Sequence, residues 1–114
     1  MNPLHEVIET EAYLAAAKRA GMTEADREMV VNAIAADPEA GDLIKGTGGV
    51  RKVRFAKPGS GKSGGWRVLT AYVGENVAVL LVAAFGKNQK GNITKAEANV
   101  LKGLMTRLKA DARQ

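Results

Sequence analysis

Twenty residues near the middle of the chain, from Trp66 to Phe85, leave little choice of secondary structure. In the first half, large or branched side chains recur at every second position, as in a strand: Trp66, Val68, Thr70 and Tyr72. The second half, VAVLLVAAF, is continuously apolar and is typical of a buried strand. The turn formers Gly74-Glu75-Asn76 lie between the halves, so the stretch predicts two antiparallel strands joined by a hairpin turn.

A third strand precedes this pair. In the segment VRKVRFA, Val53 and Phe55 alternate with Lys52 and Arg54, so two cations share one face of the strand. Residues 41–49, GDLIKGTGG, are rich in glycine and predict a loop before this strand. Three consecutive antiparallel strands are the simplest topology for these segments.

Three helices are predicted from capping signals and apolar spacing. They run from Glu11 to Ala20, from the N-cap Thr23 to Asp37-Pro38, and from Lys95 to Ala110. The last opens with the capping box Thr94-x-x-Glu97 and carries an apolar stripe: Val100, Leu101, Leu104, Met105 and Leu108. A weak strand signal lies at Val7 to Glu9. Together the elements predict an α+β fold, with a small antiparallel β-sheet packed by an N-terminal helical hairpin and a C-terminal helix.

Length and composition limit the class of protein. At 114 residues and 12.0 kDa, the chain has room for one domain, residues 1–114. It has no cysteine, no window of 18 uncharged apolar residues and no basic, apolar leader at its start. These features predict a cytoplasmic protein with no membrane span and no disulfide or cysteine-bound metal.

Charge is distributed unevenly along the chain. Residues 1–44 carry nine acids and three bases, whereas residues 45–74 carry seven bases and no acid. Scattered lysines and arginines usually only keep a surface soluble, and that remains the alternative interpretation. An acid-free run of cations in a glycine-rich segment instead favours a phosphate-rich partner, because Lys and Arg neutralise phosphates and release counterions.

The segment AKPGSGKS, residues 56–63, nearly matches the phosphate-binding loop of nucleotide hydrolases. Such a loop joins a strand to a helix, whose N-terminal amides face the phosphates. Here Gly64-Gly65 and the alternating strand from Trp66 follow instead, and no aspartate suited to magnesium closes the strand that ends at Phe85. The sequence therefore predicts a basic loop between two strands rather than a nucleotide site.

The cations suggest one kind of reaction, the attack of an RNA 2′-hydroxyl on the neighbouring phosphate. This reaction needs in-line geometry, stabilisation of the phosphorane charge and proton transfer, and none of these requires a metal. Arginine binds two phosphate oxygens at once, and a lysine among like charges can exchange protons near neutrality. The only histidine, His5, lies outside the basic segment and is interpreted as a surface or strand residue.

Several linked motifs in order resemble the RelE-like toxins of type II toxin–antitoxin systems, and specifically their HigB-like branch. They are GDLIKGTGGVRKVRFAKPGSGKSGGWRV and, after the sheet, FGKNQKGNIT before the closing helix. The resemblance covers nearly the whole chain. It implies a RelE-like fold and a ribosome-dependent mRNA interferase, which cleaves mRNA in the A site of the 30S subunit without a metal or other cofactor. It also implies a cognate helix-turn-helix antitoxin.

The resemblance assigns site residues by motif. The catalytic candidates are Lys52, Arg54, Lys62, Arg67 and Lys87. Lys52 or Lys62 would transfer protons, while Arg54 and Arg67 would hold the scissile phosphate and its developing charge. The RNA-binding candidates are Lys45, Arg51, Lys57 and Lys90.

The chain departs from the family pattern at Phe85. Relatives often have a tyrosine there, and a phenylalanine can neither donate nor accept a proton. If that hydroxyl assists proton transfer in relatives, this chain uses another group or cleaves weakly. The alternative function is that of the non-catalytic, gyrase-poisoning toxins that share this fold.

Overall fold

The computed structural model describes residues 4–56, 65–86 and 93–112, which form an α+β fold. In chain order the strands are β1 (Val7–Glu9), β2 (Asp42–Leu43), β3 (Arg51–Phe55), β4 (Trp66–Ala71) and β5 (Val79–Gly86). The helices are α1 (Glu11–Arg19), α2 (Glu24–Ala36) and α3 (Lys95–Ala112). The strands make one sheet in the order β1-β5-β4-β3-β2. Within the described ranges, no helix is both long and apolar enough to cross a membrane.

The predicted antiparallel pair is confirmed as β4 and β5. The register pairs Trp66 with Gly86 at one end and Ala71 with Leu80 at the other, with an irregularity between Leu69 and Thr70. Both strands are shorter than the sequence pattern indicated, because β4 stops at Ala71 and β5 begins at Val79. The connection is therefore a longer loop than a tight hairpin turn.

The predicted α+β fold is confirmed, and in the described residues the sheet is mixed: three of its strand pairings are antiparallel as predicted, and β1 adds a parallel one. Strand β1 pairs in parallel with β5, where Val7 lies opposite Val79. Strand β2, inside the stretch predicted as a loop, pairs antiparallel with β3. Strand β1 confirms the weak strand signal at Val7 to Glu9, whereas β2 has two residues and is too short for a period of two to be visible in the sequence.

Helices α1 and α2 pack on one face of the sheet, and their predicted boundaries are confirmed to within a residue or two. Thr23 caps α2 in a capping box with Asp26. The buried side chains on this face form the α1–α2 core: Tyr13, Ala17, Val30, Ile34, Val53, Val68, Trp66 and Leu81 among others. Trp66 also donates a hydrogen bond from its indole nitrogen to the carbonyl of Ala20 at 3.1 Å.

Helix α3 packs on the opposite face. Its predicted capping box is confirmed, since the Thr94 hydroxyl accepts from the amide of Glu97 at 3.1 Å and the Glu97 carboxylate accepts from the amide of Thr94 at 2.9 Å. The α3 core contains Val50, Leu69, Ala71, Phe85 and Met105. Val100 was predicted to lie in the apolar stripe, but it is 71% exposed because it lies on a side of α3 that does not face the sheet.

Close approach of two backbones makes glycine necessary at Gly65, just before β4. Its φ is +142°, and a Cβ atom added there would lie 2.5 Å from the carbonyl oxygen of Phe55. By contrast, Gly103 lies within α3 and a Cβ atom there meets nothing within 4 Å.

We therefore expect opposite effects from two alanine substitutions, measured by urea unfolding. Gly65→Ala should lower the free energy of unfolding by about 1–3 kcal/mol, since it forces a strained backbone. Gly103→Ala should raise it by up to about 1 kcal/mol, since alanine favours a helix. A stable Gly65→Ala protein would contradict the described packing of β3 against residue 65.

Tyr13 is fully buried in the α1–α2 core, and its hydroxyl has no hydrogen-bond partner among the described residues. Burial, reinforced by the negative charge of Glu9 and opposed by Arg27, raises the pKa of Tyr13 to about 12. Arg27 and Glu9 themselves form an ion pair at 3.2 Å. The folded protein thus keeps the phenolic proton at a pH where the unfolded chain releases it.

The stabilisation that depends on this proton is present below pH 10 and is lost as pH rises through about 12. Between these values the contribution of Tyr13 should fall by up to about 1.4 kcal/mol per pH unit. Tyr13→Phe should remove that component while changing little at pH 7. The measurement is the free energy of unfolding of both proteins at pH 8–11, and equal slopes would contradict the assignment.

Candidate nucleic-acid interface

The alternation of side chains along β3 and β4 separates the cations from the α1–α2 core. Val53 and Val68 are buried in that core. Their neighbours Lys52, Arg54 and Arg67 therefore lie on the α3 face of the sheet, and Lys52 and Arg54 share one face as predicted. We call these three residues the basic row.

Two of these cations lie directly opposite each other. Arg54 pairs with Arg67 in the register of β3 and β4, and Arg67 pairs in turn with Phe85 on β5. Directly opposed residues on one sheet face have Cβ atoms about 4.5–5.5 Å apart, and like charges there are destabilising. An anion bound between the two guanidinium groups would relieve that repulsion.

Arg67 carries the strongest sign of a missing partner. Its Nε and Nη1 atoms are buried and have no hydrogen-bond partner within residues 4–56, 65–86 and 93–112. By comparison, the buried Nε of Arg27 lies 3.2 Å from a carboxylate oxygen of Glu9. Burying a guanidinium without acceptors is costly, so this position is suited to an anion with several oxygens, such as a phosphate.

Lys45 lies near the basic row. It is exposed in the turn after β2 and lines a cavity of about 230 Å³ together with Lys52. The same cavity is lined by Lys95, which the sequence analysis missed. The Thr94 capping box already placed Lys95 in the first turn of α3, but only the packing of α3 on the sheet brings it to Lys52.

The structure does not bring Arg51 to this group. Strand alternation puts it on the opposite face from Lys52. Its guanidinium donates to the carbonyl of Gly41 at 3.3 Å and lies 3.8 Å from a carboxylate oxygen of Glu39. An RNA contact by Arg51 stays a prediction. In the structure the positive charge of Arg51 faces the carboxylate of Glu39.

Four predicted site residues, Lys57, Lys62, Lys87 and Lys90, lie outside the described residues. The described strand residues nearest to them in the chain are Phe55, Trp66 and Gly86. These three residues pair with one another across β3, β4 and β5, so the described strands end on the same side of the sheet.

His5 lies far from the basic row; it precedes β1 rather than belonging to a strand, and it is half-buried. Its Nε2 is 2.7 Å from the carbonyl oxygen of Val77, and its ring meets Tyr72 edge to face at 5.1 Å between centroids. Val77 precedes β5 whereas Phe85 lies near the end of that strand, a separation of about 26 Å along an extended chain. Nowhere in the described ranges do three His, Asp or Glu side chains group as metal ligands.

Removing the buried charge tests the anion site directly. Arg67→Met keeps a long side chain but eliminates the guanidinium, so it should unfold at an equal or higher temperature than wild type in low salt. Added phosphate should raise the midpoint of thermal unfolding of wild type, since a ligand of the folded state stabilises it. That increase should disappear in Arg67→Met.

The matched control is Arg19→Met, in the last turn of α1, where an exposed arginine is removed. It should keep the wild-type response to phosphate. A phosphate-induced shift that survives in Arg67→Met would rule out Arg67 as the anion-binding residue.

A comparison with known protein families agrees with this geometry. The family model described as the RelE toxin of the RelE/RelB toxin–antitoxin system matches residues 6–114. The match spans the sheet, the basic row and α3. It concerns the RelE family as a whole, and the HigB-like branch suggested by the motifs stays a prediction.

Proposed function

Since the chain belongs to the RelE toxin family of toxin–antitoxin systems, we propose that it is an endoribonuclease that cleaves mRNA in the ribosomal A site. Family membership implies an antitoxin as partner. The proposal adds that this antitoxin is a helix-turn-helix protein and that the toxin acts in the cytoplasm, where translating ribosomes are found.

One observation carries the proposal: Arg67 is half-buried, its Nε and Nη1 atoms have no hydrogen-bond partner among the described residues, and it pairs across the strands with Arg54. A single phosphate suits two opposed arginines better than a carboxylate does, because a carboxylate has only two acceptor oxygens. No acidic residue occurs in residues 45–74, so the segment that supplies both arginines repels neither an RNA backbone nor a developing negative charge.

In the proposed reaction, the 2′-hydroxyl loses a proton and attacks the adjacent phosphorus, and the 5′-oxygen of the next nucleotide leaves with a proton. Arg54 and Arg67 bind the non-bridging oxygens and stabilise the extra charge of the phosphorane. Lys52, two residues before Arg54 on the same face of β3, is the described residue proposed for proton transfer. Lys62 is the second such candidate and lies outside the described residues.

The proposal predicts cleavage that depends on both the ribosome and the arginines. Primer extension on mRNA in purified 70S ribosomes should show cuts at the A-site codon with wild-type protein. Arg67→Ala and Arg54→Ala should each slow cleavage by about 100-fold or more, the usual effect of removing a charge-stabilising donor. Arg19→Ala, on α1, should cleave like wild type.

Cuts without ribosomes, or undiminished cutting by Arg67→Ala, would contradict the mechanism. Intact mRNA together with DNA damage in cells that express the protein would instead support the gyrase-poisoning alternative.

Phe85 allows a test for gain of activity. It is the cross-strand partner of Arg67 and lines the same cavity as Lys52, so a hydroxyl added at this position lies next to the proposed site. Phe85→Tyr should raise the single-turnover cleavage rate about tenfold or more if acid–base assistance is limiting, since such catalysis contributes on the order of 10²–10⁴-fold in rate.

The matched control is Phe55→Tyr, on β3 and in contact with the α1–α2 core, which should leave the cleavage rate unchanged. An unchanged rate in Phe85→Tyr would show that proton transfer does not need this hydroxyl.

A further inference from the structure

The cavity beside the basic row has cationic and apolar walls, and one of the apolar residues is the largely buried Phe85. It measures about 230 Å³ and lies between the sheet and the start of α3. Lys45, Lys52 and Lys95 line it, as do Phe85 and Ile93. None of the described residues that line it is acidic.

This combination indicates the chemical class of ligand. The volume is below the roughly 300–1,000 Å³ of sites for drug-sized molecules, so the cavity suits one planar ring system rather than a large ligand. Unpaired bases are commonly bound on aromatic side chains, with cations nearby for the backbone phosphates. A single nucleotide of RNA has both parts, a flat base and a phosphate.

The cavity is also at the right distance from the arginines. Phe85 lines the cavity and is at the same time the cross-strand partner of Arg67. Lys52 precedes Arg54 by two residues, or about 7 Å along the strand. A nucleotide joined to a phosphate on Arg54 and Arg67 can therefore reach the cavity without leaving the sheet surface.

We propose that this cavity binds the base of the nucleotide adjacent to the scissile phosphate, and that Lys45 and Lys95 bind the flanking phosphate. The inference rests on the proposed function, because that function identifies the phosphate on the two arginines as the scissile one. It makes Lys95 an RNA-binding residue and gives Ala98, which lines the same cavity, control over which base fits.

The test uses the full chain, no ribosome and RNA that cannot be cleaved. Trinucleotides with 2′-O-methyl groups, one for each of the four bases, are titrated into ¹⁵N-labelled protein and followed by NMR. The amides of Lys45, Phe85 and Ala98 should shift, and the four bases should differ in affinity.

Two variants probe the two halves of the cavity. Ala98→Leu fills it without changing charge and keeps a good helix former, and it should weaken binding about tenfold by excluding the stacked base. Lys95→Ala should weaken binding about threefold to tenfold by removing one phosphate contact, and Lys95→Arg should restore it. Lys18→Ala, an exposed residue in the last turn of α1, changes net charge equally and should bind like wild type.

Binding that is unchanged in both Ala98→Leu and Lys95→Ala would overturn the inference, as would shifts confined to residues away from the cavity. The ribosomal cleavage assay separates the two proposals. If wild type binds trinucleotides through the cavity but cleaves no mRNA, the proposed function fails and the nucleotide site stands. If wild type cleaves while the cavity variants bind normally, the nucleotide site fails alone.

Discussion

The pairing of β4 with β5 is the interaction on which the rest of the structure depends. β4 lies at the centre of the sheet, with β5 on one side and β3 on the other. Val68 and Leu69 are adjacent on β4 and both buried, one in the α1–α2 core and the other in the α3 core. A strand buried on both faces cannot slip by one residue without exchanging its two sets of side chains. This register sets where every other element docks.

The same constraint creates the candidate site. Once Val68 and Leu69 occupy opposite faces, Arg67 must share the α3 face with Leu69 and Phe85. Its guanidinium is then partly buried beside apolar side chains, and the opposing residue on β3 is another arginine. The fold therefore holds two cations in an unfavourable arrangement before any ligand binds. Such an arrangement is preorganised for an anion, because little further reorganisation is needed when the anion arrives.

Charge is separated across the sheet as well as along the chain. The acidic residues 1–44 supply β1, α1, α2 and β2, and the two helices cover the face opposite the basic row. A polyanion approaching the protein is thus attracted to the α3 face and repelled from the helical layer. Such a field raises the rate of productive encounters and orients the partner.

By itself, the sequence determined the strongly periodic or capped elements. The central strands, the three helices and the Thr94 capping box follow from local patterns, and the cations of β3 follow from alternation around Val53. Local patterns provided only a weak signal for β1 and none for β2, since two or three residues form a strand only when a neighbouring strand supplies hydrogen bonds. Val100 fits the helical stripe but faces solvent, because the direction of packing depends on the partner surface.

For the candidate site, the sequence predicted residue types and the tertiary structure decided which of those residues lie together. Lys52, Arg54 and Arg67 converge because register aligns two strands, while the adjacent Arg51 faces Glu39. Lys95 belongs to a helix far along the chain and reaches the cavity only through the packing of α3. The sequence could predict an anionic ligand because that prediction depends only on the types of side chain present. It could not predict proximity, because proximity depends on contacts between residues separated by dozens of positions.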